Sequence, residues 1–403
     1  MEAKVFNGDR LRKARIYNGL TLTELAERTG LSKQSVSLYE NGKNVPDYQR
    51  VMTLANELGF PFEFFFQKDK ISTRTETTYF RSQSTTTKKS RSAQSVKLEM
   101  VAGMYEVLWN YVEFPTYNDP QISFEGFDSF EECVSDEAVA AIEAAAQKVR
   151  HLWGLGNDPI KNLQYALEQH GILVTCIDTD EDTIDAFSQR TLVDNADVYI
   201  IAIAVSKQFE CRIRFDMAHE LGHIVLHPWS EDLDSIPKDE FKARERQANM
   251  FASAFLLPRD TFGKDVSKYP TNLEYYGYLK KKWKVSIQAM LYRAHQLKII
   301  TTNQYQYLMR QVSKNGWRNE EPGDVPYVLN ESIFQGAIDL LFDNSILSPD
   351  TLMREFKLNG IALYPSTVEA LLHLRPGTLD KKDKVIPLFQ LKKPDTEDKE
   401  DTE

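Results

Sequence analysis

The chain has 403 residues, 49 Lys/Arg against 59 Asp/Glu and a formal net charge of −10. That length suits two or three domains with a sizeable core. Three widely spaced cysteines, Cys133, Cys176 and Cys211, exclude a disulfide framework and point to a reducing cytoplasm. Neither a signal peptide nor an apolar run long enough to span a membrane is read, so no membrane partner is expected.

Residues 8 to 66 read as five short helices separated by turn signals. The first runs from Gly8 to Asn18, and the second from Thr21 or Leu22 to Thr29, closed by Gly30. Ser32 caps a third from Lys33 to Asn41, and Gly42 stops it. Helix, tight glycine turn, helix is the helix-turn-helix layout, whose second helix enters the major groove of double-stranded DNA. Lys33, Gln34, Ser35, Ser37 and Lys43 are the candidate base and phosphate contacts, because Gln suits adenine and Lys or Ser suits guanine and phosphate. The string LTELAERTGLSKQSVSLYENGKNVP resembles the phage-repressor (XRE-type) family over about 60 residues. Leu22 stands where that family often has a Gln, which removes a usual polar contact. Charge agrees in direction: the first hundred residues are net +6 and the remainder net −16.

Residues 70 to 93 are rich in Ser, Thr, Lys and Arg and read as a flexible basic linker. Arg81, Lys88, Lys89 and Arg91 could contact phosphates there, and extended backbone would suit a peptidase. From 94 to 113 a long helix carries Val96, Met100, Met104, Val107, Leu108 and Tyr111 near one side. It suits core packing or the seam of a homodimer reading two half-sites of an operator.

Helices are expected at Asp136–Leu152 and Asn157–His170, and buried strands at Ile172–Ile177 and Val198–Val205. Phe209–Phe215 alternates and reads as an edge strand, able to hold an extended substrate by strand addition, or as the start of the next helix. That next helix carries His219-Glu220-Leu221-Gly222-His223. Histidines four apart share one helical face and can reach one metal ion, while Glu220, offset by one, can take a proton from water there. His227 is two turns from His219, about 12 Å along the axis, too far to share a tetrahedral ion. The third ligand should come from the helix Glu240–Leu257, where Glu245, Asn249, Ala252 and Leu256 form a stripe. Glu245 can supply a carboxylate and Asn249 a hydrogen bond behind a ligand histidine. Glu240, Glu231, Asp232 and Asp234 are further candidates. After Pro258 helices are expected near 271–283, 286–297, 302–314 and 331–343, then a disordered acidic tail.

The block FDMAHELGHIVLH, with Glu245-x-x-Ala-Asn-x-Phe-Ala and Leu-Leu-Pro at 256–258, resembles the ImmA/IrrE metallopeptidases. Asp185-Ala-Phe-Ser and Trp283-Lys-Val-Ser-Ile fit the same resemblance, which covers about residues 150 to 315. It implies a Zn²⁺ site of His219, His223 and Glu245 with Glu220 as catalytic base, and a repressor-type protein as substrate. Gln247 departs from it, since an acidic residue is common there. The chain is thus expected to be multi-domain, with an all-α helix-turn-helix domain at 1–69 and the basic linker at 70–93. A helical connecting or dimerisation region at 94–152 and an α+β zincin-like domain at 153–265 come next. A helical region at 266–390 and the tail at 391–403 complete it. The expected function is transcriptional regulation switched by zinc-dependent cleavage of a repressor, in trans or in the chain itself. The alternative is a regulator whose zincin-like domain senses a ligand or metal without cutting.

Overall fold

The computed structural model describes residues 5–68, 74–80 as backbone, 87–124, 127–177, 186–193, 196–204, 209–229, 236–328 and 330–380. Arg81, Asp185, the acidic residues 231, 232 and 234 and the tail 391–403 lie outside the described residues.

Four α-helices and a 3₁₀ turn open the chain: α1 (Gly8–Tyr17), α2 (Leu22–Thr29), α3 (Lys33–Glu40), α4 (Tyr48–Leu58) and the turn Phe62–Phe66. Local chemistry sets their ends. Thr21 and Glu24 form a capping box on α2, Ser32 caps α3, and Gly30 closes α2 in the left-handed region at φ 68°. Gly8 lets α1 touch α3, because a Cβ there would sit 2.2 Å from the Tyr39 carbonyl oxygen. Arg15 grips Glu40 with two hydrogen bonds of 2.6 and 2.9 Å, fixing α3 against α1 through a buried carboxylate.

The middle is a four-stranded sheet in the order β1-β3-β4-β2, where β1 is Arg74–Phe80, β2 Ile172–Cys176, β3 Ala186–Val193 and β4 Ala196–Ile203. β2 pairs with β4 in parallel, and β3 pairs antiparallel with both β4 and β1. Its two faces are both covered. Leu173, Phe187, Ile200 and Ala202 join one buried cluster with α5 (Lys88–Trp109) and the last helices, α14 (Ile333–Asp343), α15 (Pro349–Leu358) and α16 (Pro365–Leu371). That cluster also contains the core of the N-terminal helices. Ile172, Val174, Tyr199, Ile201 and Ile203 join a second cluster on the opposite face. Its helices are α6 (Asp136–Leu152), α7 (Leu163–Gln169), α8 (Glu210–Leu226), α9 (Lys238–Leu256) and α10 (Arg259–Val266), with α11 (Leu273–Trp283), α12 (Ile287–Gln296) and α13 (Thr302–Lys314). The expected boundary at 265–266 therefore falls inside one continuous core.

Three expectations are corrected, and two open alternatives are decided. Residues 74–80 are not free linker but the end strand of the sheet. Lys88, Lys89 and Arg91 begin α5 rather than ending a linker, and Lys89 lies 2.8 Å from the Glu24 carboxylate. On the apolar side of α5 the core-packing alternative displaces the dimer seam, because Met100, Met104, Val107 and Leu108 are buried within the chain, with Val96 partly buried and Tyr111 exposed at the end. Residues 157–161 do not open α7. The buried Arg150 guanidinium takes the carbonyls of Gly156 and Asp158, and Arg214 takes that of Ile160, so these oxygens are held outside any helix ladder. For Phe209–Phe215 the edge-strand reading gives way to the helical alternative, and the helix starts before Arg214. Helix α8 starts at Glu210, whose N–H donates to the Val325 carbonyl (2.8 Å), while Phe209 bridges Pro326. A buried charge cluster pins that supporting segment: Lys280 Nζ lies 2.9 Å from Glu321 and contacts Asp324, and the Cys211 thiol also donates to Asp324. Among the described residues no helix is long and apolar enough to cross a membrane.

Glu168, at the end of α7, joins the middle of the chain to its C-terminal helices. It accepts from Gln164 and from the Ile333 N–H, each at 3.3 Å. Burial pushes its carboxyl from 4.5 up to about 7, only partly offset by those two donors. A carboxyl raised in the folded state favours folding at low pH, and the advantage is lost as pH rises from 4.5 to about 7. Glu168→Gln should therefore stabilise the chain at pH 8 by about 3 kcal/mol and have little effect at pH 4. Thermal melts of both proteins at the two pH values check this, and an equal effect at both would contradict it.

Candidate metal centre

Helix α8 lies across β3 and β4 and packs closely on α9. The contact is tight because Gly222 has no side chain: a Cβ there would lie 3.1 Å from the backbone of Ala248 and 3.3 Å from Phe251. This approach brings the face of α8 that carries His219 and His223 up to the face of α9 that carries Glu245. The Nε2 atoms of the two histidines are 3.1 Å apart. Glu245 sets one oxygen 3.4 Å from His219 Nε2 and the other 3.2 Å from His223 Nε2.

All three donors lie within 4.8 Å of one another, and both histidines are fully buried. Tetrahedral ligands held about 2.0–2.1 Å from a zinc ion are about 3.3 Å apart, which is the spacing seen. Two imidazoles and one carboxylate are also the donor set of a catalytic zinc site with one position left open. The residues present fit the metal.

Hydrogen bonds behind the ligands fix which nitrogen of each ring faces the centre. Asn249 Oδ1 lies 3.2 Å from His219 Nδ1 and can only accept, so His219 carries its proton on Nδ1 and turns a lone pair inward. For His223 the fixing is a relay. The Gln247 amide donates to the Phe127 carbonyl (2.6 Å), which orients its oxygen toward His227 Nε2 at 2.9 Å. His227 therefore carries its proton on Nε2. Burial, with the neighbouring His223, drives His227 well below the usual histidine range, so it stays neutral. Its Nδ1 can then only accept, and His223 Nδ1, 2.9 Å away, must donate. The Glu245 carboxylate, its oxygens 3.4 and 3.2 Å from the two Nε2 atoms, supplies the third donor. Three lone-pair donors thus converge on one point.

Glu220 is fully buried and accepts a hydrogen bond of 2.5 Å from the Ser188 hydroxyl of β3. Glu240 is not among the clustered donors and is tied to Arg244 by a contact of 2.5 Å. Ser188, His227 and Gln247 were not singled out as site residues by sequence. For His227 a signal existed: it is too far from His219 but one turn from His223, the spacing at which helical side chains touch.

The candidate DNA surface is open. Lys33, Gln34 and Lys43 are exposed, and Ser35 and Ser37 are half-buried. Ser35 is already engaged with the cap, its hydroxyl 2.8 Å from Ser32 Oγ, and Ser37 accepts from the Asn41 side chain. Lys33, Gln34 and Lys43 are the freer set to reach a groove or phosphates.

Two family models match separate parts of the chain. Residues 11–65 match a helix-turn-helix model, and residues 167–295 match a peptidase model described as an IrrE N-terminal-like domain. The chain thus fuses an XRE-type helix-turn-helix domain to an IrrE/ImmA-like domain, the layout of a DNA-binding regulator. No curated protein matches it. Among solved structures, a Mycobacterium tuberculosis transcriptional regulator is similar at 21% identity with a TM-score of 0.28. The match covers 39% of this chain and 46% of that one, so this chain spans under half of that regulator's length.

Removing the acceptor behind His223 should weaken the centre. His227→Phe keeps an aromatic ring but strands the His223 Nδ1 proton, and zinc affinity should fall about 10–100-fold. Competition against a chromophoric chelator measures this, and unchanged affinity would mean that the relay does not orient the ligand.

Proposed function

We propose that the chain is a transcription regulator whose IrrE-like domain is a zinc-dependent endopeptidase acting on a repressor-type protein. The observation that carries this reading is Glu220. A buried carboxylate beside three converging ligands suits proton transfer, and a pure metal or ligand sensor has no need of it.

His219, His223 and Glu245 would hold the ion, which when bound supplies Lewis acidity to a peptide carbonyl and to water. Asn249 and the His227–Gln247 relay keep both imidazoles turned inward. Glu220 takes a proton at its carboxylate and later returns it to the leaving amine. Ser188 holds one Glu220 oxygen, tying the side chain to β3 of the sheet. Burial of His219, Glu220 and His223 excludes bulk water and strengthens each of these interactions. On the DNA side, Lys33, Gln34, Ser35, Ser37 and Lys43 would contact a double-stranded operator, with a homodimer reading two half-sites.

Glu220→Gln should retain zinc stoichiometry while cleavage of a repressor-type protein falls at least about 10²–10⁴-fold, measured by mass spectrometry of the incubated pair. If that variant still relieved repression in a reporter strain, peptide hydrolysis would not be the switch. Gln34→Ala should weaken operator binding by about 1–3 kcal/mol without changing the salt dependence. A mobility-shift titration at several salt concentrations reads both quantities. Equal loss on operator and random DNA would remove Gln34 from base recognition.

A further inference from the structure

The strand β3 has two hydrogen-bonding sides. One is taken by β4, from Ala186 opposite Ile203 to Val193 opposite Ala196. The other is taken by β1, from Arg74 opposite Leu192 to Phe80 opposite Phe187. β3 is also the strand that reaches the site, because Ser188 hydrogen-bonds Glu220. Residue Tyr79 of β1 is the register partner of that same Ser188. In an antiparallel pair such partners have Cα atoms about 4.5–5.5 Å apart, so the backbone of β1 passes one strand spacing from the residue that touches Glu220. An extended peptide replacing β1 on the side of β3 away from β4 would take this path.

We propose that residues 74–80 are the built-in occupant of the peptide-docking edge of this site, so that an extended segment of another protein docks only when β1 leaves β3. The inference rests on the reading of the centre as a peptide-handling site. Three features support it. β1 is the last strand in the order β1-β3-β4-β2, so it can leave while the other pairings stay intact. Its ladder is interrupted where the register shifts between Thr75 and Thr77, which leaves a shorter regular pairing to release. It also lies in the segment that joins the helix-turn-helix domain to α5, and the two flanks of that segment are held elsewhere. Gln67 donates to the Lys357 carbonyl (2.7 Å), and Lys13 pairs with Glu99 (2.7 Å). The occupant is thus tethered beside its edge and returns readily, at the high effective concentration of a short tether. The partner recognised is an extended, main-chain-paired segment like the Thr-rich RTETTYF itself, which in this chain follows the helix-turn-helix region.

The test uses the full chain carrying Glu220→Gln, so that bound peptide stays intact, and a fluorescein-labelled peptide copying residues 72–83. Adjacent strand residues turn their N–H groups to opposite sides, so Thr78→Pro with Tyr79→Pro removes at least one donor to β3. Fluorescence anisotropy should show the peptide binding the proline-substituted chain at least ten-fold more tightly than the unsubstituted one. Equal binding, or none to either, overturns the proposal. A second variant guards against unfolding by the prolines: Thr78→Cys with Gln189→Cys, at paired positions, locks β1 onto β3 when oxidised. The oxidised chain should bind the peptide at least ten-fold more weakly than the reduced chain, and equal binding in both forms overturns the proposal. A cross-link that forms between two chains instead of within one also overturns it, because the occupant would then come from a second copy. Binding is read in a cleavage-deficient chain, so failure of the hydrolysis reading leaves this result unchanged.

Discussion

The centre depends on the close crossing of α8 over α9 at Gly222. Two histidines on one helix make half a site, and a carboxylate on another helix completes it only when the backbones approach to within a few ångströms. A side chain at 222 would press on Ala248 and Phe251, in the same helix that carries Glu245 and Asn249. The packing of two apolar helices in the second core therefore sets distances of 3.1–3.4 Å between polar atoms that would otherwise repel. Local apolar packing thus sets the geometry of a donor cluster that could hold a metal ion.

Around that crossing, each buried polar group is oriented by the next one out. Phe127 fixes the Gln247 amide, Gln247 fixes the His227 tautomer, and His227 fixes that of His223. Such a chain is stable because buried donors and acceptors are costly to leave unmatched, so reversing one member would strand several. It also explains Gln247, where the resembled family often has an acid. A carboxylate could accept from His227 equally well, but it could not also donate to the Phe127 carbonyl.

The sheet links the two functional halves. One face belongs to the core that holds α8 and α9, and the other to a core shared by α5, the C-terminal helices and the helix-turn-helix domain. Beyond those faces, β1 joins the edge next to Ser188 to the segment leaving the DNA-binding helices. On α3 the candidate DNA contacts Lys33 and Gln34 are exposed.

Much of this was legible from spacing and capping. The four-residue histidine repeat placed two donors on one face, the stripe through Glu245 and Asn249 placed a third and its neighbour, and Thr21, Gly30 and Ser32 marked helix ends, all through contacts within a turn or two. What sequence could not decide were outcomes of competition between distant groups. Residues 157–161 carry helix signals, yet Arg150 and Arg214 take their carbonyls. The alternation in Phe209–Phe215 suits a strand, yet Val325 and Pro326 engage its start and the helix begins there. The polar run at 74–80 has no apolar period to announce a strand; it is one because it pairs with the side of β3 that β4 does not occupy. Sequence determined which atoms could bind a metal or a base edge, since that is a property of residue type and helical spacing. Tertiary structure decided which way each ring faces and what lies along β3, because those depend on hydrogen-bond partners far away in the chain.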